Sequence, residues 1–136
     1  MSIAEIIQLG ILLTAILTIC VTLHKNSRQR KLQMFAEYTR RYQEIFLNMP
    51  DDIYDGTAKV NTATTRFLRL YFDLCSEEYH LWKDKDIPEN VWSLWLEGMQ
   101  IACQHELYKN MWQELKKDYN LDFRSYFEDN VINNVD

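Results

Sequence analysis

The chain has 136 residues, of which 47% are hydrophobic and 13% aromatic, with only three Gly and two Pro. This length allows one compact domain, and the composition favours folded helices over disorder or a β-sandwich, so we expect an all-α fold. From Tyr42 onward, 18 acidic side chains outnumber 9 basic ones. Because excess negative charge repels phosphate backbones, we expect no nucleic-acid partner.

An apolar segment in residues 1–24 predicts a membrane anchor. Residues 6–23 read IIQLGILLTAILTICVTL without a charge, a helix length that matches a bilayer's hydrocarbon core. A cleavable signal peptide needs a basic start and small residues at its end, and neither is present. Lys25, Arg28, Arg30 and Lys31 follow the segment at once. The positive-inside bias therefore predicts a single-pass protein of the bacterial inner membrane, with the N-terminus outside and the C-terminal domain cytoplasmic. We expect these four cations to contact lipid headgroups.

A stripe of small residues recurs at every fourth position of the apolar segment and consists of Gly10, Thr14, Thr18 and Thr22. Small residues at this spacing allow two helices to approach closely in lipid, so the stripe is a candidate surface for homo-oligomerisation. Alternatively, each Thr hydroxyl bonds back to a carbonyl of its own helix. The sequence leaves both interpretations open.

Residues 25–49 predict a basic juxtamembrane amphipathic helix. Its apolar side chains recur at three- and four-residue steps, and its cations lie mainly between them. Neither Gly nor Pro occurs between Gly10 and Pro50, so this helix can continue the membrane helix without a break.

Residues 50–131 predict a small helical bundle that begins after a turn cluster at residues 50–56. We expect helices at about 57–83, 87–104, 106–119 and 122–130, and a frayed tail at 132–136. The pattern after residue 104 either continues the same helix or follows a kink near Gln104. Asp86 is the predicted cap of the second of these helices, and Asn120 or Asp122 begins the last one. We expect the Trp and Tyr side chains to form the core of the bundle.

Few residues suggest a catalytic or metal-binding site. Glu77 and His80 share a helical face in the spacing that di-iron bundles use, but a metal site would also have to recruit residues such as His105 and Glu106. The second Glu-x-x-His that such a site needs is missing, and the chain has too few Gly for an oxyanion hole or a phosphate loop. The three cysteines lack CxxC spacing, which fits reduced thiols in the cytoplasm. We therefore expect no enzyme activity, no cofactor and no metal.

The run from Arg69 to Trp82, RLYFDLCSEEYHLW, is followed by Trp92, Trp95, Trp112 and Phe123. This pattern resembles small bacterial proteins of unknown function in which a membrane helix precedes a helical domain with an acidic EEY centre and spaced tryptophans. The resemblance covers most of the chain. It implies an anchored helical fold and a link with prophages or phage defence, and it transfers no catalytic residue.

These features predict a membrane-tethered helical module that binds a protein partner or a second copy of itself at the cytoplasmic face. The anchor would raise the local concentration of partners there. One alternative is a membrane-perturbing effector in which the small-residue stripe assembles several helices into a pore. Another is a ligand-sensing bundle, which an apolar cavity with convergent polar groups would favour.

Overall fold

Helices and short turns form the whole of residues 1–134, the part of the chain that the computed structural model describes, and no β-strand occurs there. The predicted all-α class is therefore confirmed. A 3₁₀ turn at Lys116–Asp118 follows α5, and a π-helical turn at Glu128–Ile132 follows α6. The α-helices are α1 (Ile3–Leu47), α2 (Asp51–Tyr54), α3 (Thr62–Lys83), α4 (Glu89–Ala102), α5 (Glu106–Leu115) and α6 (Leu121–Phe127).

The chain divides into two units, Met1–Glu37 and Tyr38–Asp136. In the first unit α1 presents apolar side chains such as Ile11 and Leu17 to its surroundings, and none of its membrane-length apolar window is buried. This helix is long and apolar enough to span a membrane. α1 contains most of the predicted anchor and most of the predicted juxtamembrane helix, which was expected to extend to residue 49.

The core of the second unit forms around one face of α3. Phe72 is fully buried, and its ring centroid lies 5.3 Å from that of Trp112 and 5.9 Å from that of Phe127. The rings meet edge to face, the arrangement that the aromatic quadrupole favours. The three aromatic side chains thereby join α3, α5 and α6 in one centre.

A second aromatic cluster packs around the C-terminal end of α3. The indoles of Trp82 and Trp92 stack with centroids 4.9 Å apart, and Trp92 Nε1 donates a hydrogen bond of 3.2 Å to the hydroxyl of Tyr126. Tyr79 lies against Tyr126 at 4.9 Å. Trp92 and Trp112 are buried, whereas Trp82 and Trp95 are partly buried. The expectation of an aromatic core is therefore confirmed for these clusters.

Local capping explains where the helices begin. α3 begins at Thr62 rather than near residue 57, because the Asn61 side chain caps it by accepting the Thr64 N–H at 2.9 Å. The Asn120 side chain caps α6 in the same way by accepting the Phe123 N–H at 2.9 Å, as predicted. α4 ends at Ala102 and α5 begins at Glu106, so the chain breaks near Gln104, as predicted.

The prediction that Asp86 caps the next helix was wrong. Pro88 occupies the N-cap position of α4, and no side chain there makes a cap hydrogen bond. The Asp86 N–H instead donates to the Leu81 carbonyl at 2.8 Å and the Lys85 N–H donates to the Trp82 carbonyl at 2.9 Å, with Lys85 at a φ of 62°. This pattern is a Schellman motif, so Asp86 ends α3 rather than beginning α4.

Two further boundaries differ from the prediction. The predicted turn cluster at residues 50–56 contains the short helix α2, which buries Ile53. Ile132 belongs to the π-helical turn and is buried, although it begins the range expected to fray. Val135 and Asp136, also in that range, lie outside the described residues.

Phe72→Ala is expected to lower the free energy of unfolding by about 3–5 kcal/mol, because it removes the ring on which α5 and α6 meet. The matched control is Leu70→Ala on the same helix, where Leu70 is 53% exposed and the expected loss is below about 0.5 kcal/mol. Urea denaturation of the full chain in lipid nanodiscs, followed by circular dichroism, measures both. Equal losses in the two variants would show that this aromatic centre is not the core.

Candidate functional site

An open apolar groove lies in the second unit, where the last turns of α1 meet α2, α3, α4 and the start of α5. Its volume is about 440 Å³. We call it the large groove. Ten of the twelve lining residues are apolar, aromatic or Gly, and the other two are Asp55 and His105. The lining residues are Tyr42, Ile45, Phe46, Met49, Tyr54, Asp55, Tyr71, Gly98, Ile101, Ala102, His105 and Tyr108.

A smaller cavity of about 170 Å³ adjoins the large groove, and the two share Tyr42, Tyr71 and Gly98 as lining residues. It contains one carboxylic acid, Glu78, and we call it the carboxyl cavity. Its other lining residues are Thr39, Leu74, Cys75, Leu94, Trp95 and Met99. An apolar space of this kind with a single carboxylic acid at its wall is a usual form of ligand site.

Two glycines shape this region. A Cβ added at Gly98 would meet no heavy atom within 4 Å, so the missing side chain leaves room where the two cavities join. Gly56 has a φ of 70°, and a Cβ there would lie 2.7 Å from Cγ of His105. Only Gly allows this close approach of the backbone to the imidazole, which places His105 in the wall of the large groove.

Glu78 is the unusual residue of the site. Its side chain is buried, with 4% of the residue exposed, and within residues 1–134 no hydrogen bond or ion pair to its carboxyl group is formed. Burial raises the pKa of the Glu78 carboxyl from 4.5 to about 8, with Arg41 opposing this shift and Glu77 adding to it. Desolvation disfavours the carboxylate, so the group is mostly protonated at neutral pH.

Arg41 is the described cation whose charge lowers the pKa of Glu78, and it is already paired with the preceding residue, Glu77. Arg41 donates to Glu77 through Nη1 at 2.5 Å and Nη2 at 3.3 Å, and the Tyr38 hydroxyl donates to the same carboxylate at 3.0 Å. The hydrogen bond from Arg41 lowers the pKa of Glu77 despite an opposing desolvation effect. The pKa values of the two adjacent glutamates are therefore shifted in opposite directions, and within the described part of the chain Glu78 is the one without a partner.

The other acid groups that line the carboxyl cavity are neutral at physiological pH. Burial raises the pKa of Tyr42 and raises the pKa of Tyr71 and of the Cys75 thiol well above their ordinary values. In the large groove, burial raises the pKa of Tyr108 to about 12. A thiol held protonated in this way is a poor nucleophile. The site is therefore suited to binding rather than to nucleophilic chemistry.

The polar cluster predicted from the sequence is not assembled. Glu77 pairs with Arg41, whereas Nε2 of His80 lies 2.9 Å from Nδ2 of Asn120. His105 lines the large groove, and Glu106 is exposed with its carboxylate 3.9 Å from Nζ of Lys109. Across residues 1–134 no three His, Cys, Asp or Glu side chains gather as metal ligands would. The hypothesis that these four residues form one site is therefore wrong.

The predicted residues of the first unit lie along α1. The Thr14 hydroxyl donates to the carbonyls of Gly10 at 3.1 Å and Ile11 at 2.8 Å, and the Thr18 hydroxyl donates to the Thr14 carbonyl at 2.8 Å. These two hydroxyls therefore bond to their own helix, the second of the two interpretations. Self-association through the stripe stays a prediction, as does the pore. The four predicted headgroup cations are exposed; they are Lys25, Arg28, Arg30 and Lys31.

The sequence-based prediction did not include Glu78, because the Glu77-x-x-His80 spacing favoured its neighbour Glu77. A signal was present in the sequence: Tyr71, Cys75 and Glu78 follow one another at helical steps of four and three, which places Glu78 on the apolar face of α3. An acid at such a position is seldom buried without a partner. The large groove itself has no comparable signal, since it is lined by residues from distant parts of the chain.

Glu78→Gln is expected to remove a pH dependence of stability. The pKa of the Glu78 carboxyl is about 8 in the folded chain and 4.5 in the unfolded chain, so the unfolded chain releases the proton first as pH rises. The protonated carboxyl therefore contributes its full stability below pH 4.5, and this stability is lost as pH rises towards 8. Wild type and Glu78→Gln should therefore match at acidic pH, and the variant should be more stable by a few kcal/mol at about pH 8.

Urea titrations of the full chain in nanodiscs across this pH range measure the difference. Tyr42, Tyr71 and Cys75 face Glu78 but have raised pKa values and stay protonated throughout the range. The matched control is Glu97→Gln, which removes an exposed carboxyl from α4 and should change stability by less than about 0.5 kcal/mol. A difference between wild type and Glu78→Gln that does not grow with pH would contradict the assignment.

Comparison of the chain with protein-family models, curated proteins and solved structures finds no match. The resemblance to phage-linked membrane proteins therefore stays a prediction. The large groove and the carboxyl cavity, with Glu78 at its wall, are the site from which a function is inferred.

Proposed function

We propose that this chain is a membrane-tethered helical sensor module, which binds a small apolar ligand in the large groove and the adjoining carboxyl cavity at the cytoplasmic face of the bacterial inner membrane. The observation that carries the proposal is the pair of adjoining apolar cavities with one unpartnered buried carboxyl group. Of the functions that the sequence left open, the ligand-sensing bundle is the one that predicts such a cavity.

The size and lining of the site support a small ligand. Ligand pockets usually have volumes of roughly 300–1,000 Å³ and are mostly apolar, with a few polar groups that orient the ligand. The large groove, at about 440 Å³, falls in this range, and His105, Asp55 and the Tyr108 hydroxyl are polar groups at its wall. A protein partner would need a much wider contact area than this groove offers.

The first unit supports the tether. α1 is apolar enough to span a bilayer, and the cations at Lys25, Arg28, Arg30 and Lys31 follow its apolar window. The positive-inside bias then favours an N-terminus on the outer side of the inner membrane and a second unit in the cytoplasm. Tethering confines the second unit to the membrane surface, where apolar ligands concentrate.

The acid groups support binding rather than catalysis. Cys75 and Cys103 are buried, and burial raises the pKa of Cys103 to about 12 and that of Cys75 well above its ordinary value. Neither thiol provides the thiolate that nucleophilic catalysis needs. We therefore propose no enzymatic reaction for this site.

A second candidate function is the binding of a protein partner or a second copy of the chain. Leu94 and Ile101 are 67% and 58% exposed and lie seven residues apart on α4, which places them on one face of the helix. Exposed apolar side chains at this spacing are typical of a helix that receives a partner. Crosslinking and mass spectrometry in native membranes distinguishes a partner, a second copy and neither.

Gly98→Leu is expected to block ligand binding, because the added side chain enters the space where the two cavities join. The probe is tert-butylbenzene, and we expect the wild-type protein in nanodiscs to bind it and the variant to bind at least tenfold more weakly. Leu favours a helix over Gly, so the variant should fold. Headspace gas chromatography measures the bound fraction after subtraction of empty nanodiscs.

The matched control for this experiment is Ser93→Leu, which adds the same side chain on the exposed face of α4, away from both cavities. It should bind the probe like the wild type. Equal binding by wild type, Gly98→Leu and Ser93→Leu would refute the proposed site.

Deletion of residues 1–24 is expected to move the protein from the membrane fraction to the soluble fraction, since these residues hold the apolar window. Replacement of Lys25, Arg28, Arg30 and Lys31 by Gln should leave the protein in the membrane but reduce the fraction with a cytoplasmic C-terminus. Cell fractionation and a C-terminal alkaline phosphatase fusion measure the two effects. A full-length chain in the soluble fraction would contradict the anchor.

A further inference from the structure

We propose that the carboxyl cavity is the binding site of an organic ammonium cation, with the Glu78 carboxylate as its counter-charge and the rings of Tyr42, Tyr71 and Trp95 as its walls. This inference rests on the proposed ligand-binding function and names the chemical class of the ligand. The cationic head occupies the carboxyl cavity, and an apolar tail extends into the large groove.

The buried carboxyl group of Glu78 has no hydrogen-bonding or ion-pair partner among residues 1–134. A buried ionised carboxyl group is costly unless a cation pairs with it. Among residues 1–134 the only cation that lowers the pKa of Glu78 is Arg41, which donates two hydrogen bonds to Glu77. Leu94, Trp95, Gly98 and Met99, the α4 residues that line the cavity, carry no charge. A positively charged ligand would supply the partner that the described residues do not.

The lining selects an organic cation over a metal ion. A metal ion needs several oxygen, nitrogen or thiolate ligands, and Glu78 is the one carboxylic acid among the residues that line this cavity. The Cys75 thiol is held protonated by burial, and no three potential metal ligands cluster anywhere in residues 1–134. Aromatic and aliphatic walls instead suit the methyl or methylene groups around an ammonium nitrogen.

The aromatic rings add a specific attraction. Tyr42, Tyr71 and Trp95 line the cavity from α1, α3 and α4, so rings from three elements surround the space beside Glu78. A cation near the face of Trp or Tyr is attracted by the ring quadrupole, and aromatic cages recognise quaternary ammonium groups in this way.

The direct test compares two probes of the same shape. Phenyltrimethylammonium carries a permanent positive charge, and tert-butylbenzene is its neutral isostere. We expect wild-type protein in nanodiscs to bind the cation at least tenfold more tightly than Glu78→Gln does, whereas binding of the neutral probe should differ by less than about threefold between them. Saturation-transfer NMR and equilibrium dialysis measure the two dissociation constants.

The matched control is Glu97→Gln, which removes one negative charge from an exposed position on α4 that lines neither cavity. It should bind phenyltrimethylammonium like the wild type. Similar losses in Glu78→Gln and Glu97→Gln would overturn the proposal, because they would reflect net charge rather than the buried carboxylate.

A second measurement uses wild-type protein alone. The charge of phenyltrimethylammonium does not change with pH, so a change in its affinity reports titration of the protein. The affinity should rise about tenfold between about pH 7 and about pH 9 as Glu78 ionises, and then level off. Of the groups facing Glu78, Arg41 is paired with Glu77, and Tyr42, Tyr71 and Cys75 have pKa values raised by burial. His105 faces the large groove, so the profile is repeated in His105→Gln. An affinity that does not change with pH would overturn the proposal.

The two proposals fail in different ways. If wild-type protein binds tert-butylbenzene and Gly98→Leu does not, the groove is a ligand site. Failure to bind phenyltrimethylammonium would then overturn the cation alone. If neither probe binds to the wild type, the proposed function fails together with this inference.

Discussion

The structure of the second unit depends on the burial of one face of α3 against aromatic side chains that follow it in the chain. Phe72 meets Trp112 and Phe127 at ring distances of 5.3 and 5.9 Å, so one side chain joins three helices. A domain of this size has little apolar surface to bury, and large rings supply most of it. Because the contact of Phe72 with Trp112 and Phe127 holds α3 in place, this contact also determines where the rest of the buried face of α3 lies.

The position of Glu78 follows from that constraint. Tyr71, Cys75 and Glu78 lie on the buried face of α3, and all three are at most 5% exposed. In front of these three residues, Gly98 on α4 leaves space, and the two cavities occupy that space. A buried carboxyl group beside an unfilled cavity reduces stability, and strongly shifted acids of this kind occur often at functional sites.

Glu77 and Glu78 show how strongly the surroundings decide the behaviour of one residue type. Glu77 receives hydrogen bonds from Arg41 and Tyr38, which lower its pKa, whereas burial raises that of Glu78 to about 8. One glutamate therefore holds the end of α1 against α3, since Arg41 and Tyr38 belong to α1 and Glu77 belongs to α3. The other is left to face the carboxyl cavity. Adjacent positions on a helix point about 100° apart, which separates the two roles.

The sequence by itself determined the features that depend on local pattern. A long apolar run with cations behind it predicted a membrane-length helix, helical periodicity and the scarcity of Gly and Pro predicted the all-α class, and Asn120 was one of two candidates for the start of the last helix. The start of α3 at Thr62 and the use of Asp86 to end α3 also depend on local hydrogen bonds, but the sequence pattern did not show which of the competing caps would form them. Only the tertiary structure decided the site. Glu77 and His80 looked like one cluster with His105, but they pair with separate partners and His105 lines the large groove. Glu78 became isolated because side chains from α1, α3 and α4, far apart in the chain, enclose a space that none of them fills.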